Sequence, residues 1–559
     1  MLKKILSSLV IFGACINPLF AEDYISPQLT PQLERDFVGE WTPTLPGMNP
    51  SGAWERAMPG LCYRISGNWI RCSGYVNLGE FLSQLPGMRM EQPPGSSGTS
   101  EDYLGLKPLI MTDGIPLDLP NGDMPDLNFI PLENVDYVEV YPGPLAGFYG
   151  NCSTIINIVT LHQRTEQANA FVMIADGSFD LERYKFAYSQ SLSHYDFTLS
   201  GDRQLYTGLS SNIVDYSGGN LTLTSNLYSQ NFHSLAGFSW SGKSQLTGEI
   251  SPVKTESGLT RIWIAPQIKY GEWNLGGAYC YHRQKEDADI AQNHFFRLEG
   301  QYKPGSAWGW YNSLEGESSS LDGWRGGAIS SLSLSLSSTI RTLSGLRMEL
   351  NSAKNYTITP VVGLALTPLE NLVLFTNFNL NFNHSPETGN SKSYNLLAGG
   401  KLYFLNRGQI SMSAFYDHTE MVKRTGVLLG IQFRLPGNFL LLNSTSIYNQ
   451  TTNHQPKLQI DTQFVYNPSF NKQRFSLYAG LEHHYYSSGI AFSPVSVKSS
   501  IEDNQSLHLW DVRFSMRVLS LEVFMLVENL LNSEVKSEYG IIPGYPRLYR
   551  LGFSWYFRN

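Results

Sequence analysis

Few residues in this chain combine the types and spacing that chemistry needs. Gly237 to Ser244 reads GFSWSGKS and fits the phosphate-loop spacing of two glycines followed by Lys and Ser. That motif works only where a buried strand turns into a helix, so that backbone N–H groups cradle phosphate. Here Gln245 to Ile250 continue a strand-like alternation, so the match is read as coincidence. His483 and His484 are adjacent and would point to opposite faces of a strand. They cannot readily share a metal, and Glu482 with His484 reads as paired polar residues of one face. The 11 histidines show none of the spacings typical of zinc sites. No nucleophile-elbow pattern is present. The residues thus assign no catalytic group, no cofactor and no metal ligand, and the chain is not expected to be an enzyme.

The cysteines point to a compartment more than to a reaction. Met1, Lys3 and Lys4 precede an apolar run from Ile5 to Phe12. That is the form of a signal peptide, too short to span a bilayer as a helix, which takes about 20 residues. Ala21 suits the cleavage position, giving a mature start at Glu22; the rival is lipidation at Cys15 after Gly13-Ala14. Export places the remaining cysteines in an oxidising compartment, where Cys62 and Cys72 are close enough in sequence to pair. The other reading is two buried thiols. Sequence does not pair Cys152 or Cys280.

Composition then bounds the fold. Charged residues are 16 % and aromatics 13 %, with 31 Tyr and 29 Phe, a mixture suited to strands with one apolar and one polar face. The net charge of −8 argues against a nucleic-acid partner. Residues 22–165 are Pro-rich with mixed short elements. Leu78, Phe81, Leu82 and Leu85 recur at helical spacing, and Pro86-Gly87 ends the helix. Glu91 to Asp102 reads as a loop. Leu109–Met111, Val135–Val140 and Thr154–Thr160 read as buried strands, making a small α+β domain.

From about Ala168 the texture changes to period-two alternation. Leu372, Leu374, Phe378, Leu380 and Phe382 share one face; Asn377, Asn379, Asn381 and Asn383 share the other. Leu332, Leu334 and Leu336 alternate with serines, and Val427, Leu429, Ile431 and Phe433 with Gln432 and Arg434. Segments of about ten residues match the 9–11 that cross a bilayer at a tilt. A soluble sandwich, solenoid or propeller is the competing class, but no fixed-length repeat is visible. Roughly 22 segments fit between residue 166 and the end, with connections averaging about eight residues and outer loops about a dozen. Closure satisfies strand edges that would otherwise stand unpaired in hydrocarbon. In the last segment Tyr549, Leu551, Phe553, Trp555 and Phe557 alternate with Arg550, Gly552 and Ser554. It resembles the terminal strand that barrel-assembly machinery reads.

The order of motifs resembles one family. Tyr75 to Met90 (YVNLGEFLSQLPGMRM), with Leu85-Pro86-Gly87, resembles the opening of the plug domain of TonB-dependent outer-membrane receptors. Pro108 to Leu117 (PLIMTDGIPL) resembles the plug strand with its Asp113-Gly114 turn. Ile130 to Gly150 is similar to the family stretch carrying Glu139, Gly143-Pro144 and Tyr149-Gly150. Thr154 to Thr160, with Asn157, resembles the strand that closes the plug. Near the end Val527 to Asn532, with Asn529 and Leu530, resembles the family signature before the last strand. Pro543 to Arg547 sits where the family often has a Pro-Gly-Arg segment. The resemblance implies a mainly β fold: a transmembrane antiparallel barrel of about 22 strands, residues 166–559, occluded by a plug, residues 22–165, after a signal peptide, residues 1–21. It implies a receptor in a bacterial outer membrane for a scarce small nutrient such as siderophore-iron, haem or cobalamin. Its partners would be the small-molecule ligand at the extracellular face, a TonB-type energy-transducing protein, the barrel-assembly machinery and outer-membrane lipid. The named plug residues are expected to determine the fold; ligand contacts are expected from the Glu91 to Asp102 loop and outer loops. Glu22 to Ser26 is a degenerate version of the energy-coupling box, and the Arg-Gly before the Asp-Gly strand is missing. An adhesin, structural barrel or passive channel with a vestigial plug is the alternative.

Overall fold

The computed structural model describes most of the chain from Tyr63 onward. Outside the description lie residues 1–62, 68–69, 71–77, 79–81, 83–87, 92–99, 104–107, 118–126, 128–129, 131, 150–151, 153 and 161–167. Also outside it are 559 and all or part of the connections at 211–212, 248–252, 288, 305–306, 322, 370, 387–388, 405–407, 419–422, 450–456, 471–474, 488–505 and 534–546. The expectations for the signal peptide, Cys15, Cys62, Cys72, Leu85, Pro86, Gly87, Gly150 and the coupling box fall there.

Twenty-two antiparallel strands close into a barrel, from Asn169–Gly177 to Leu548–Arg558, and those two strands pair to seal it. Sealing is what the alternation demands, because it leaves no strand edge for hydrocarbon. On Leu372–Ser385, Asn377, Asn379 and Asn381 are buried inside, while Leu374 and Phe378 are exposed outside. On Leu548–Arg558, Tyr549, Leu551, Phe553, Trp555 and Phe557 point out, and Arg550, Gly552 and Ser554 point in. Ile262, Ile264, Leu298, Leu314 and Val362 extend the exposed apolar surface around the wall. So much exposed apolar surface is far beyond the few hundred Å² that a soluble monomer tolerates. It fits a lipid-facing belt.

Most of the strands run longer than the expected ten residues. Val253–Tyr270 has 18 residues and Leu521–Glu528 has 8. Hairpins continue past the thickness a bilayer needs, because the ladder still satisfies both backbones in water. Connections shrink accordingly. At the rim opposite the barrel's first and last residues, the first eight connections have at most five residues, as in 178–180, 287–288 and 386–388. Only the last three are long: 449–457, 487–506 and 529–547. The expectation of outer loops near a dozen residues is therefore corrected; length is concentrated in one sector.

Inside the barrel sits a five-stranded mixed sheet. Its order is Tyr63–Ser66, Val135–Pro142, Thr154–Thr160, Leu109–Thr112 and Ile115–Pro116. Leu109–Thr112 runs parallel to Thr154–Thr160; the other pairs are antiparallel. Leu78 and Leu82 lie in helical conformation, one turn apart, and are fully buried. The plug core of Ile110, Val138, Val140, Ile156 and Ile158 is continuous with wall residues Phe375, Leu397, Phe415 and Val465. The expected Glu91 to Asp102 loop is partly a hairpin: Met88–Glu91 pairs with Ser100–Tyr103. Its Pro/Gly/Ser-rich stretch hid the flanking residues that complete the two backbones' hydrogen bonds.

Candidate functional site

The organised polar chemistry of this chain lies where plug meets wall. Asp113 and Gly114 both have positive φ, 52° and 76°. That pair of left-handed residues makes a tight hairpin turn, which Asp-Gly supports with little strain. The turn is held from the neighbouring strand. Asn157 Oδ1 accepts from Gly114 N at 2.8 Å, and Asn157 Nδ2 donates to Glu139 Oε2 at 3.1 Å. Thr160 donates to Asp113 twice, from N to Oδ1 and from Oγ1 to Oδ2, each at 2.9 Å. Burial still pushes the Asp113 carboxyl up from 3.8 to about 6, against the lowering effect of the Thr160 hydrogen bonds and the Arg261 charge.

The second junction follows the strand Val135–Pro142. Gly143, at φ +78°, turns the chain into a 3-10 segment, Gly143–Tyr149. A Cβ at Gly143 would come within 3.2 Å of the wall's Leu397, so the close approach favours glycine as well. Pro144 is buried in that segment. Burial drives the Tyr149 phenol well above its usual range, and the Tyr311 phenol adds to it. Cys152 is partly buried and its thiol donates to Ala146 O at 3.5 Å.

The wall reads the plug through backbone carbonyls. Arg297 Nη1 donates to Gly114 O at 2.8 Å, Arg347 Nη1 to Phe148 O at 3.1 Å, and Asn379 Nδ2 to Pro144 O at 2.9 Å. Arg261 Nη2 reaches Ile115 O at 3.4 Å, while its Nε donates to the buried Cys280 Sγ at 3.3 Å. The arginines are balanced within the wall. Arg297 pairs with Glu299 at 3.2 Å; Arg347 pairs with Glu315 at 2.9 Å and with Glu349. Charge-assisted hydrogen bonds of this kind are worth about 1.5–3 kcal/mol each. Sequence reasoning did not find these wall residues. Inward parity on their strands was the available signal; the plug atoms they meet were not.

The remaining motif residues take structural places. Asn529 donates its N–H to Asp511 Oδ1 at 2.8 Å, and its side chain closes a turn with Ser533. Leu530 N donates to Trp510 O at 2.7 Å, so both residues tie the last long connection to the wall. Gly237, Gly242, Lys243 and Ser244 lie within the barrel strand Phe232–Thr247, paired on both sides, and not at a strand-to-helix turn. Glu482 and His484 are buried in the lumen; His483 points outward and stacks on His508 and Trp510.

A 22-stranded barrel filled by a mixed α+β plug, bonded to the wall at its turn carbonyls, defines the class: a plugged transmembrane-type barrel. Residues 55–154 match the family model described as the TonB-dependent Receptor Plug Domain. No curated protein matches it by sequence. Solved structures match along nearly the whole length. The siderophore receptor PirA from Acinetobacter baumannii aligns at 12 % identity and TM-score 0.75, over 90 % of this chain and 99 % of that one. A mutant of the ferric enterobactin receptor PfeA from Pseudomonas aeruginosa aligns at 12 % identity and TM-score 0.73, over 89 % and 98 %. FpvA of P. aeruginosa, bound to an iron complex of a heterologous pyoverdine, aligns at 11 % identity and TM-score 0.69, over 89 % and 86 %.

Proposed function

We propose that this chain is an outer-membrane receptor that carries a scarce small nutrient inward, with iron bound to a small organic chelator as the substrate class. The seated plug carries this reading. A passive channel gains nothing from a lumen filled by a domain whose carbonyls are held by Arg261, Arg297, Arg347 and Asn379. A gated receptor needs that occlusion, and it needs bonds that a pull can break one after another. Support for the substrate class comes from the fold neighbours, described as a siderophore receptor, a ferric enterobactin receptor and a protein bound to a pyoverdine–iron complex. Export with cleavage after Ala21, a plug spanning 22–165 and a barrel spanning 166–559 belong to the same proposal. So do assembly by the outer-membrane insertion machinery and energy from a TonB-type protein gripping the segment near Glu22.

The test is iron-limited growth of a strain lacking its other ferric-chelate receptors. The intact chain is expected to restore energy-dependent uptake of at least one radio-iron chelate, and deletion of residues 22–33 to abolish it. Uptake that survives loss of the proton-motive force would sink the coupling step. A large, stable single-channel conductance of the intact protein would favour the passive channel instead.

A further inference from the structure

The wall beneath the three long connections carries a second cluster, separate from the plug contacts. His484 and Glu482 lie in the second half of Phe475–Tyr486, Asp511 in the first half of Leu507–Val518 with Arg513 at its middle, and Asp461 in the first half of Leu458–Tyr466. Register puts Asp461 opposite His484 and Glu482 opposite Asp511. The three carboxylates and His484 therefore sit toward the rim opposite the barrel's termini, where connections 449–457, 487–506 and 529–547 leave.

Each of three groups is oriented by a bond on its far side. His484 Nδ1 is 2.8 Å from Asp461 Oδ1. Glu482 Oε1 accepts from Arg513 Nε at 2.8 Å. Asp511 Oδ1 accepts from Asn529 N at 2.8 Å. The near-side atoms then face one another. His484 Nε2 stands 3.5 Å from Asp511 Oδ2 and 3.9 Å from Glu482 Oε2, and one ligand atom from each residue lies within 4.8 Å of the others. The His484 side chain is only 9 % exposed and Glu482 is fully buried, so the imidazole nitrogen is aimed into a closed gap.

The 3.5 Å His484–Asp511 spacing suits a metal as it stands, and the Glu482 oxygen would close in from 3.9 Å. Ligands held about 2.1 Å from a tetrahedral ion sit about 3.4 Å apart along each edge. A carboxylate behind a histidine is the arrangement that fixes the tautomer of a metal-ligating imidazole, leaving Nε2 free to bind. Charge agrees. Metal binding requires the imidazole neutral; Asp461, Glu482 and Asp511 then outweigh Arg513 by two negative charges, which one divalent cation balances. A nitrogen with two carboxylate oxygens suits zinc and its first-row neighbours better than calcium, which takes oxygen ligands alone.

We propose that Glu482, His484 and Asp511 form a site for one divalent first-row transition-metal ion. Through Asn529, the ion would fix the base of the 529–547 connection. The inference stands apart from the nutrient assigned above.

The experiment uses the full-length chain folded in detergent micelles, stripped with chelator, then titrated with Zn²⁺ by calorimetry and with Co²⁺ by visible absorption. The expected result is one ion per chain and a cobalt d–d band. His484→Gln, Glu482→Gln and Asp511→Asn should each weaken binding by at least the roughly 10–100-fold typical of losing an outer-shell partner, and equal Ca²⁺ should not compete. His483→Ala, altered on the outside of the wall, should bind as wild type. Heat-modifiable migration verifies that each variant is folded; if His484→Gln fails that check, the two carboxylate variants decide. Stoichiometry far below one, or undiminished affinity in the folded lumen variants, would overturn the proposal. So would loss of binding in His483→Ala.

Discussion

Gly345 lies on the wall strand Ile340–Asn351, between the inward residues Leu343 and Arg347. A Cβ built there would meet the plug's Phe148 ring at 2.4 Å, Ser330 O at 2.7 Å and Ser331 Cβ at 2.9 Å. Gly345→Ala therefore presses on the ring from the wall side. Overpacking of this kind costs about 1–3 kcal/mol. Alanine regains roughly 0.5–1 kcal/mol over glycine in a strand, so a net loss of about 1–2 kcal/mol is expected. Phe148→Leu removes the clashing ring edge, at its own cost of about 1–2 kcal/mol for lost packing. Combined, the two should cost less than their sum by about 1 kcal/mol, because the ring clash of the Gly345→Ala variant is absent from the double variant. Urea unfolding in micelles reads this directly. With a slope of about 1–3 kcal/mol/M, Gly345→Ala should lower the plug's midpoint by several tenths of a molar or more. Heat-modifiable migration of every variant should show an intact barrel. Strict additivity of the two substitutions would refute the claim that the wall makes room for this ring.

Two further outcomes follow from the same contacts. The Asp113 carboxyl is raised from 3.8 to about 6 in the folded plug, so the folded state holds its proton more tightly than the unfolded chain. Its contribution is full below about pH 4 and fades as pH rises to about 6, a loss on the order of 2–3 kcal/mol. The difference in unfolding midpoint between wild type and Asp113→Asn across pH 4–7 should show that slope; a flat difference would remove the buried carboxyl from the account. Phe378 is exposed mid-strand on the outer wall. Phe378→Arg should cost about 2–4 kcal/mol in bilayer-folded protein, read as a lower folded fraction in vesicles. Unchanged folding would mean that this face does not meet hydrocarbon.

Alternation was readable because lipid and lumen impose opposite demands on neighbouring residues. Phe378 against Asn379, and Leu380 against Asn381, show it within one strand. Plug turns were readable because Asp113-Gly114 and Gly143 meet backbone requirements that few residues satisfy. Strand length was not readable, since a hairpin extending into water obeys no thickness limit. The plug–wall bonds were hidden for another reason: Arg297 and Gly114 are 183 positions apart, and Asn379 and Pro144 are 235 apart. No local pattern reports such a meeting. His484 illustrates both limits. Its inward face was legible, but Asp461 and Asp511 reach it from two other strands.

The wall holds the plug by carbonyls at Gly114, Ile115, Phe148 and Pro144. Every amino acid presents the same carbonyl, so a grip on the main chain is blind to the identity of the residue it holds. Side chains on the inner domain can then drift across generations while the two parts stay docked. Selection would act on the handful of wall donors and on the turns that offer them oxygen. Such a joint is compatible with very different side chains on the plug, and the solved receptors that share this backbone fold do so at 12 % identity.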